Sequence, residues 1–437
     1  MSSSDSSEIS RSVEPKPVEE DDGGDDGEQR RDGEDGQGAA RSMSRSSYSS
    51  LARTITEDIQ NELRTVPSVQ EEEVENEVGP FDPEFWKPTN IMSVEDTPFS
   101  RRYLVTLDVL FGAVLGNMAR FGMTELTSYK NEYTHFYPGT CLWSNFTACF
   151  VMAWCNHAAV FWRTVLTGSG KTNMKQMALH SAVTAGFCGA YSTWSSFMVE
   201  LIFKTIDYLN GGHKLPNHGY GVMEFFSVLF VQMGVSFLGY FLGRDFAYLI
   251  DLCFKEGSRS RIFNYRVCRI LELLFAVLGI AAIIANIVLA CTLSIDSSWK
   301  TSYALSIVIG VVGSWVRFRL SAYNGSFGIS WFPSGTLMAN VFACLLLPVL
   351  YILLYGYKDA ATGTMIVTSK VHRMAITAFS SGFCGSLSTM SSFVNELYNL
   401  EYPLQRYTYF GVTFLSCFII MFVIICPYAW TRGFIES

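Results

Sequence analysis

The sequence predicts an all-α, multi-span membrane protein with a disordered N-terminal tail. Of its 437 residues, 49% are hydrophobic, and after about residue 95 they gather in a series of long apolar segments, which predicts membrane-spanning helices. The segments are continuously apolar rather than alternating, which disfavours a β-barrel. A set of short polar motifs then occurs twice in the same order, which predicts two related halves.

Residues 1–95 form a polar, acidic region without apolar periodicity, with acidic runs at 19–26 and 71–77. This composition predicts a disordered tail. It contains no hydrophobic stretch typical of a secretory signal, so we expect it to stay in the cytosol. Two interpretations remain open: a solubilising segment, or a regulatory one in which serines beside Arg41 and Arg45 resemble kinase sites.

Four spans are predicted in the first repeat, residues 100–243. In the first span, Gly112, Gly116 and Arg120 follow one another at intervals of four residues. The glycines offer a face for close helix packing, and the arginine on that face should contact protein or water. The second span carries Asn145. The four spans cover about residues 103–126, 139–166, 177–206 and 221–242.

A basic loop and one linking span occupy residues 244–300. Six lysines and arginines lie between residues 244 and 269. This is the most basic connection in the chain, so the positive-inside rule predicts that it is cytosolic. The linking span covers about residues 270–293 and has no counterpart of the polar motifs.

The second repeat, residues 301–437, uses the motifs of the first again. Gly313 and Arg317 repeat the glycine and arginine of the first span, and Asn340 repeats the asparagine of the second. Its four spans cover about residues 303–323, 335–355, 372–398 and 407–428.

One longer motif is shared by both repeats. It reads AGFCGAYSTWSSFMVE over residues 185–200 and SGFCGSLSTMSSFVNE over residues 381–396, an offset of 196 residues. Glycine loosens a helix, and unpaired backbone groups at membrane depth are tolerated only inside protein or beside a wet cavity. Each copy therefore predicts a kinked helix beside a polar path.

The span count predicts the topology. A repeat of four spans begins and ends on one side, so a single linking span forces the second repeat into the membrane upside down. We therefore expect nine transmembrane helices, arranged as two inverted four-helix repeats whose shared sites lie near mid-depth. With the basic loop inside, the N-terminus is cytosolic and the C-terminus extracellular.

The duplicated motifs resemble those of the fluoride channel family. The resemblance rests on two copies each of GxxxR-F, of Gly-Thr followed by Asn, and of GFCG-xx-ST-x-SSF, and it covers about residues 100–430. The family comprises small bacterial four-span proteins called Fluc or CrcB and fused eukaryotic relatives called FEX. The nine-span layout and the acidic tail resemble the fungal plasma-membrane fluoride exporters.

The resemblance implies a fluoride-selective channel that exports fluoride passively and confers fluoride resistance. In the bacterial family two subunits associate antiparallel, with two pores crossing the dimer, so this chain would form that dimer covalently and act as a monomer. The implied partners are fluoride and membrane lipid, with no nucleic acid, and the implied location is the plasma membrane. Neither an enzymatic activity nor an organic cofactor is implied.

The resemblance also assigns candidate residues. The family places two phenylalanines along each pore; here the second is kept, whereas the first is replaced by tryptophan or methionine. The candidate fluoride pore is Asn340, Phe393, Ser388, Thr389, Met390, Tyr409 and Thr413, with Asn145, Ser192, Thr193, Trp194 and Phe197 in the first repeat. The vestibule candidates are Arg120 and Arg317, and a structural sodium ion is implied at the backbone carbonyls of Gly189, Ala190, Gly385 and Ser386. For the last-span pair Tyr409 and Thr413, the nearest candidates in the first repeat are Met223 and Ser227.

These residue types suit fluoride, which is small and strongly hydrated. Removing its water is costly unless other donors replace it. Asparagine, serine and threonine donate hydrogen bonds without a full charge, and an aromatic ring has a positive edge. Conduction needs binding strong enough for entry and weak enough for release. Several side chains keep a second interpretation: the hydroxyls as bonds to their own helix, the asparagines as interhelical contacts, and Trp194 as a plug, a ligand or bulk.

Rival functions are weighed by the groups they need. A secondary active transporter of a small anion also favours inverted repeats and broken helices, but we expect no carboxylate or histidine chain at mid-membrane. An enzyme would need convergent His, Cys or carboxylates, and the eleven cysteines show no CxxC spacing. A purely structural protein would not be expected to repeat costly polar residues at matched depths.

Overall fold

The structure is a computed structural model that describes most of the chain after residue 97. The described ranges are 98–129, 132–137, 139–166, 174–209, 214–217, 219–255, 264–293, 298–326, 329–359 and 361–435. The predicted tail, residues 1–95, lies outside them. The described part is mostly helical, as predicted, with one short antiparallel hairpin.

The helices follow the predicted order of spans. The first repeat contains α1 (Pro98–Thr127), α2 (Leu142–His157), α3 (Ala159–Leu166), α4 (Ala178–Ser181), α5 (Trp194–Thr205) and α6 (Tyr220–Lys255), followed by the linking helix α7 (Tyr265–Thr292). The second repeat contains α8 (Ser298–Leu320), α9 (Ser334–Tyr355), β1 (Tyr357–Asp359), β2 (Thr364–Met365), α10 (Lys370–Thr377), α11 (Met390–Asn399) and α12 (Pro403–Thr431).

Within the described ranges, six helices are long and apolar enough to cross a membrane: α1, α6, α7, α8, α9 and α12. The other three predicted spans are helical but interrupted. The second span breaks between α2 and α3 at Ala158. The two spans that hold the long motif break within it, so no single helix there is long enough to cross.

The linking helix α7 lies at the periphery. Only 11% of its most apolar stretch is buried inside the protein. The apolar side chains on its outer side, such as Val277 and Ile284, are exposed. On its inner side Phe275 packs edge-on against Phe111 of α1, with ring centroids 4.9 Å apart. An apolar helix exposed on most of its surface is suited to lipid.

The two motif copies occupy the interior, each covered by the first helix of its own repeat. At Gly186 an added Cβ would lie 2.6 Å from the carbonyl oxygen of Val109 in α1, and at Gly382 it would collide with the carbonyl oxygen of Ser306 in α8. Glycine is required at both positions because the backbones touch. The predicted glycine face of α1 is confirmed, since Gly112 also lies against the backbone of the first copy.

Candidate anion pathway at two helix breaks

Each motif copy contains a break in the helix. A π-helical stretch (Ala182–Cys188 or Ala378–Cys384) and a final turn (Gly189–Tyr191 or Gly385–Leu387) precede two extended residues. In the first copy these are Ser192 (φ −88°, ψ 156°) and Thr193 (φ −147°, ψ 124°). In the second they are Ser388 (φ −81°, ψ 154°) and Thr389 (φ −149°, ψ 129°). The predicted kinked helices are confirmed, and the kinks are full interruptions.

The threonine of each break caps the helix that follows it. Thr193 Oγ1 accepts from the amide of Ser196, at 3.3 Å, and Thr389 Oγ1 accepts from the amide of Ser392, also at 3.3 Å. The first amides of a helix have no partner within it, and threonine is one of the residues that best supply one. The motif therefore restarts its own helix two residues after ending it.

The serine of each break caps the helix of the other repeat. Ser192 Oγ accepts from the amide of Ser391 in α11, and Ser388 Oγ accepts from the amide of Ser195 in α5, both at 3.0 Å. The hydroxyl pairs Ser192–Ser391 and Ser195–Ser388 are 2.9 and 2.8 Å apart. The two breaks therefore meet in one buried hydroxyl cluster, and each is completed only by the other repeat.

An asparagine holds the backbone of each break. Asn145 Oδ1 accepts from the amide of Thr193 at 2.8 Å, and its Nδ2 donates to the carbonyl of the same residue at 3.2 Å. Asn340 makes the same pair of bonds with Thr389, at 2.8 and 3.4 Å. These amides are predicted pore donors, and the structure gives them a positioning role because an interrupted helix leaves backbone groups that need partners.

Replacing Asn340 by alanine is expected to lower the free energy of unfolding by about 1–3 kcal/mol, because the Thr389 amide would stay buried without a partner. The change can be measured by detergent-induced unfolding of the purified protein. Asn286→Ala is the matched control, since Asn286 bonds only Ala282 of its own helix. Equal stabilities of the two variants would contradict the positioning role.

A carboxylate lies beyond each break, buried in the first repeat and half-buried in the second. In the first repeat Glu200 accepts from Thr140 Oγ1 at 3.0 Å and from Gln232 Nε2 at 2.9 Å. None of these three residues was predicted from the sequence as part of the pore. The signal that could have found them is the separation of 60 residues between threonine and glutamate, which recurs in the second repeat.

In the second repeat Glu396 has a matching set of donors. It accepts from Thr336 Oγ1 at 2.5 Å, from Asn324 Nδ2 at 3.0 Å and from the hydroxyl of Tyr409 at 2.7 Å. Each carboxylate is thus surrounded by neutral donors at the end of its motif. The two repeats differ here in that a tyrosine of α12 stands where a glutamine of α6 stands in the first.

The polar side chains of the last helix are buried in both repeats. Tyr409 and Thr413 on α12 have no exposed surface. Their structural counterparts on α6 are Gln232 and Ser236, which are also four residues apart and buried. Gln232 donates to Glu200, as Tyr409 donates to Glu396. The first-repeat candidates Met223 and Ser227 are wrong, because both are exposed on the outer face of α6.

Two positions of each motif copy hold aromatic pore candidates or their replacement. All four side chains are fully buried: Trp194, Phe197, Met390 and Phe393. Trp194 stacks at a tilt on Phe393 of the other repeat, with ring centroids 4.4 Å apart, and meets Phe197 of its own edge-on at 5.3 Å. Phe393 in turn lies 5.1 Å from Tyr409. We call the group of Phe393, Tyr409 and Thr413 the Phe393 side, and the group of Phe197, Gln232 and Ser236 the Phe197 side.

The two arginines are buried, at 5% and 4% exposure. Arg120 donates to the carbonyl of Ser381 at 2.6 Å, and Arg317 donates to the carbonyl of Ala185 at 2.5 Å. Each therefore reaches across to the motif of the other repeat, one residue before its GFCG. The predicted position in an open vestibule differs from the structure, because the carbonyls near the breaks offer the guanidinium groups buried acceptors.

The four carbonyl positions implied for sodium were tested against these contacts. The carbonyl of Ser386 already accepts from Arg317 at 2.8 Å. The guanidinium groups of Arg317 and Arg120 lie against Gly189 and Gly385, where any added Cβ would collide with them. A further cation beside two buried positive charges is unfavourable. These contacts disfavour a sodium ion at Gly189, Gly385 and Ser386, and no mechanistic step is assigned to one.

Two buried carboxylates lie inside the membrane-crossing helices, each in the first half of its helix. Asp108 of α1 and Glu272 of α7 have no exposed surface. Glu272 pairs with Arg269 at 3.2 Å and accepts from the amide of Leu179 at 3.1 Å. Both carboxylate oxygens of Asp108 lack a hydrogen-bond partner. In the sequence each acid stands singly within an apolar segment and belongs to no repeated motif, so the motif comparison could not identify it.

Comparison with known proteins gives concordant matches. The family model described as CrcB-like protein, Camphor Resistance (CrcB), matches residues 107–243 and 304–426, together more than half of the chain. A Candida albicans protein named fluoride export protein 1 is 32% identical over 76% of this chain and 81% of its own length. The Saccharomyces cerevisiae protein of that name is 28% identical over 73% of this chain and 92% of its own. A Bacillus cereus protein named fluoride-specific ion channel FluC 1 is 27% identical over 36% of this chain and 94% of its own. No solved structure matches the chain.

Proposed function

Since the chain belongs to the CrcB-like family, we propose that it is a fluoride-selective ion channel that exports fluoride passively down its electrochemical gradient. The names of the fungal and bacterial relatives support this, and none of those quoted names an enzyme. The observation that carries the proposal is the Phe393 side, where aromatic rings and neutral donors are packed beside a helix break. Such a lining suits a small anion that has to shed its water.

The proposed architecture is nine spans in two inverted four-helix repeats joined by α7. It is supported by the pairing of equivalent contacts: each asparagine holds its own break, each serine caps the other repeat, and each arginine reaches the other motif. Contacts that match under exchange of the two repeats are what a two-fold axis in the membrane plane would produce. One chain then supplies both halves and acts as a monomer in lipid.

Within this architecture the proposed ion path runs past the rings and the hydroxyls of the last helix. The ring edge of Phe393 presents partial positive charge, and Thr413 presents a hydroxyl. The predicted pore residues Ser192, Ser388 and Asn340 support the path by shaping the break rather than by offering free donors, because their polar atoms already have partners.

Passive export fits a plasma membrane with the N-terminus in the cytosol and the C-terminus outside. An inside-negative potential drives an anion outward with about 2.3 kcal/mol per 100 mV. A cell in acid surroundings takes up HF, which ionises inside, so a passive anion exit would confer fluoride resistance.

The experiment that tests the proposal is fluoride efflux from liposomes that contain the purified protein, with chloride efflux measured in parallel. We expect rapid fluoride efflux and no chloride efflux from the wild-type chain, because its donors suit a small dehydrated anion. Absence of fluoride efflux from folded protein would refute the proposal.

Asp108 favours one alternative, a secondary active transporter of a small anion. A buried carboxylate without hydrogen-bond partners inside a membrane helix is the kind of group that binds a coupled proton. Under that function, fluoride efflux would be slow, would move protons in step and would be abolished in Asp108→Asn. A channel would pass fluoride without stoichiometric proton movement and would retain it in that variant.

A further inference from the structure

Asn395 of α11 is the centre of a hydrogen-bond network between the two repeats. Its amide oxygen accepts from Nδ2 of Asn156 in α2 at 2.8 Å and from the hydroxyl of Tyr240 in α6 at 2.9 Å. Both donors belong to the first repeat, although α11 belongs to the second. Because α11 also carries Phe393, the helix that presents this ring is bonded directly to the opposite repeat.

Two histidines of the first repeat extend the network and fix the direction of its bonds. Tyr240 uses its only proton for Asn395, so its oxygen accepts from Nε2–H of His157, 3.1 Å away. Asn156 donates through its amide nitrogen, so its amide oxygen accepts from Nε2–H of His180 at 3.0 Å. Both branches of the network therefore end on one acceptor, the amide oxygen of Asn395.

Aromatic contacts hold the same face of α11. Tyr398, which follows Asn395 by one turn, packs against Tyr240 with ring centroids 5.0 Å apart and meets His157 edge-on at 5.5 Å. Its hydroxyl accepts from Arg244 of α6 at 3.1 Å. This face of α11 is therefore attached to the first repeat by hydrogen bonds and by ring packing together.

The matching position of α5 has no such network. The motif offset of 196 residues places Val199 where Asn395 stands in the second copy, and a valine side chain accepts no hydrogen bond. In the pairing of the last helices, Cys417 of α12 stands where Tyr240 stands in α6. Both Val199 and Cys417 are fully buried. The two motif helices are thus capped alike but held differently beyond their caps.

We propose that Asn395 is a positioning residue for the ion path, whose bonds to the first repeat fix the rotation of α11 and with it the ring of Phe393. This assignment rests on the proposed function. Successive residues of an α-helix are about 100° apart around its axis, so Asn395 lies roughly opposite Phe393 on α11. The start of α11 is capped by Thr389 and Ser192. Asn395 supplies a second support further along the helix, which prevents α11 from turning about its capped end.

The first test is Asn395→Val, which introduces the residue that α5 has at this position. We expect fluoride efflux to fall about tenfold, because Asn156 and Tyr240 lose their acceptor and α11 is free to rotate. Asn399→Val is the matched control: Asn399 lies on the same helix, is exposed, and bonds only Asn395 of that helix. Its efflux should stay within about twofold of the wild type. Equal efflux from the two variants would overturn the inference.

A second measurement separates positioning of the ring from a general loss of stability. Asn395→Val is introduced into Phe393→Ile, and efflux is measured at raised protein density so that slow transport is resolved. If Asn395 acts through the ring, the double variant should transport as fast as Phe393→Ile alone, since effects that share one path are not additive. A further tenfold fall in the double variant would assign Asn395 a structural role only and overturn the inference.

Tyr240→Phe is a milder variant that keeps the ring beside Tyr398 and removes the hydroxyl that Asn395 accepts from. We expect its efflux to fall about threefold, as for loss of one neutral hydrogen bond. This variant keeps the inference testable if Asn395→Val does not fold, and wild-type efflux from it would then overturn the inference. All of these contrary results would leave the proposed function standing, whereas lack of fluoride efflux from the wild type would refute that function itself.

Discussion

Replacing Phe393 by isoleucine is expected to slow fluoride efflux by about two orders of magnitude, which corresponds to a barrier increase of about 2.7 kcal/mol. Phe393 lies between Trp194 and Tyr409, with ring centroids 4.4 and 5.1 Å away. Isoleucine has no ring edge to offer an anion, and it removes the support on which the indole is stacked. The variant therefore loses one contact directly and disturbs another.

Phe197→Ile is the informative counterpart. Phe197 meets Trp194 edge-on at 5.3 Å, but the Phe197 side has no buried donor without a partner among the described residues. We expect its efflux to fall less than about threefold, an effect below about 0.7 kcal/mol. Both variants are measured in liposomes at equal protein density. Equal losses would show that the two rings serve one path, and a larger loss in Phe197→Ile would reverse the assignment.

Arg317→Ala is expected to lower the free energy of unfolding by about 3–5 kcal/mol. The carbonyls of Ala185 and Ser386 would lose their donor, each at a cost of about 1–3 kcal/mol, and a buried cavity would remain. Because one of these carbonyls belongs to each repeat, the loss weakens the contact between the repeats. Detergent-induced unfolding of the purified variant measures the change.

A double-mutant cycle with Gly189 makes this prediction specific. An added Cβ at Gly189 would collide with the Arg317 guanidinium, which its bonds to the carbonyls of Ala185 and Ser386 hold in place. Gly189→Ala should therefore be costly in the wild type and cheaper in Arg317→Ala. We expect a coupling energy above about 1 kcal/mol, whereas distant sites are additive within about 0.5 kcal/mol. Gly122→Ala is the control, since nothing lies within 4 Å of its added Cβ. Additive costs at Gly189 and Arg317 would contradict the contact.

The helix breaks could be predicted from sequence because they depend on local chemistry. Two glycines with a run of hydroxyl residues inside an apolar segment disfavour an uninterrupted helix, and the repetition of the motif at Ser192–Thr193 and Ser388–Thr389 showed that this was a feature of both halves. The partners of the breaks could not be predicted in the same way. Whether Ser192 caps its own helix or Ser391 of the other repeat depends on packing across a distance of 199 residues.

The misplaced pair Met223 and Ser227 shows how an unequal connection defeats alignment. In the second repeat only Leu400–Tyr402 separate α11 from α12, whereas a long connection separates α5 from α6. The motif offset of 196 residues therefore no longer applies in α6, where Gln232 precedes Tyr409 by 177 residues. Gln232 and Ser236 are identified by burial and by the bond from Gln232 to Glu200, neither of which is visible in a single sequence.

The reciprocal capping of the breaks has a consequence for how the chain is made. The amide of Ser195 donates to the hydroxyl of Ser388, which is synthesised 193 residues later. At a synthesis rate of about 5–20 residues per second, the ribosome needs roughly 10–40 s to supply that partner. Throughout this interval the first half has the cap that Thr193 supplies, but the amide of Ser195 at the start of α5 lacks its partner. A chain truncated before the second motif never completes the cap, so such fragments are expected to be recognised and degraded as unfinished.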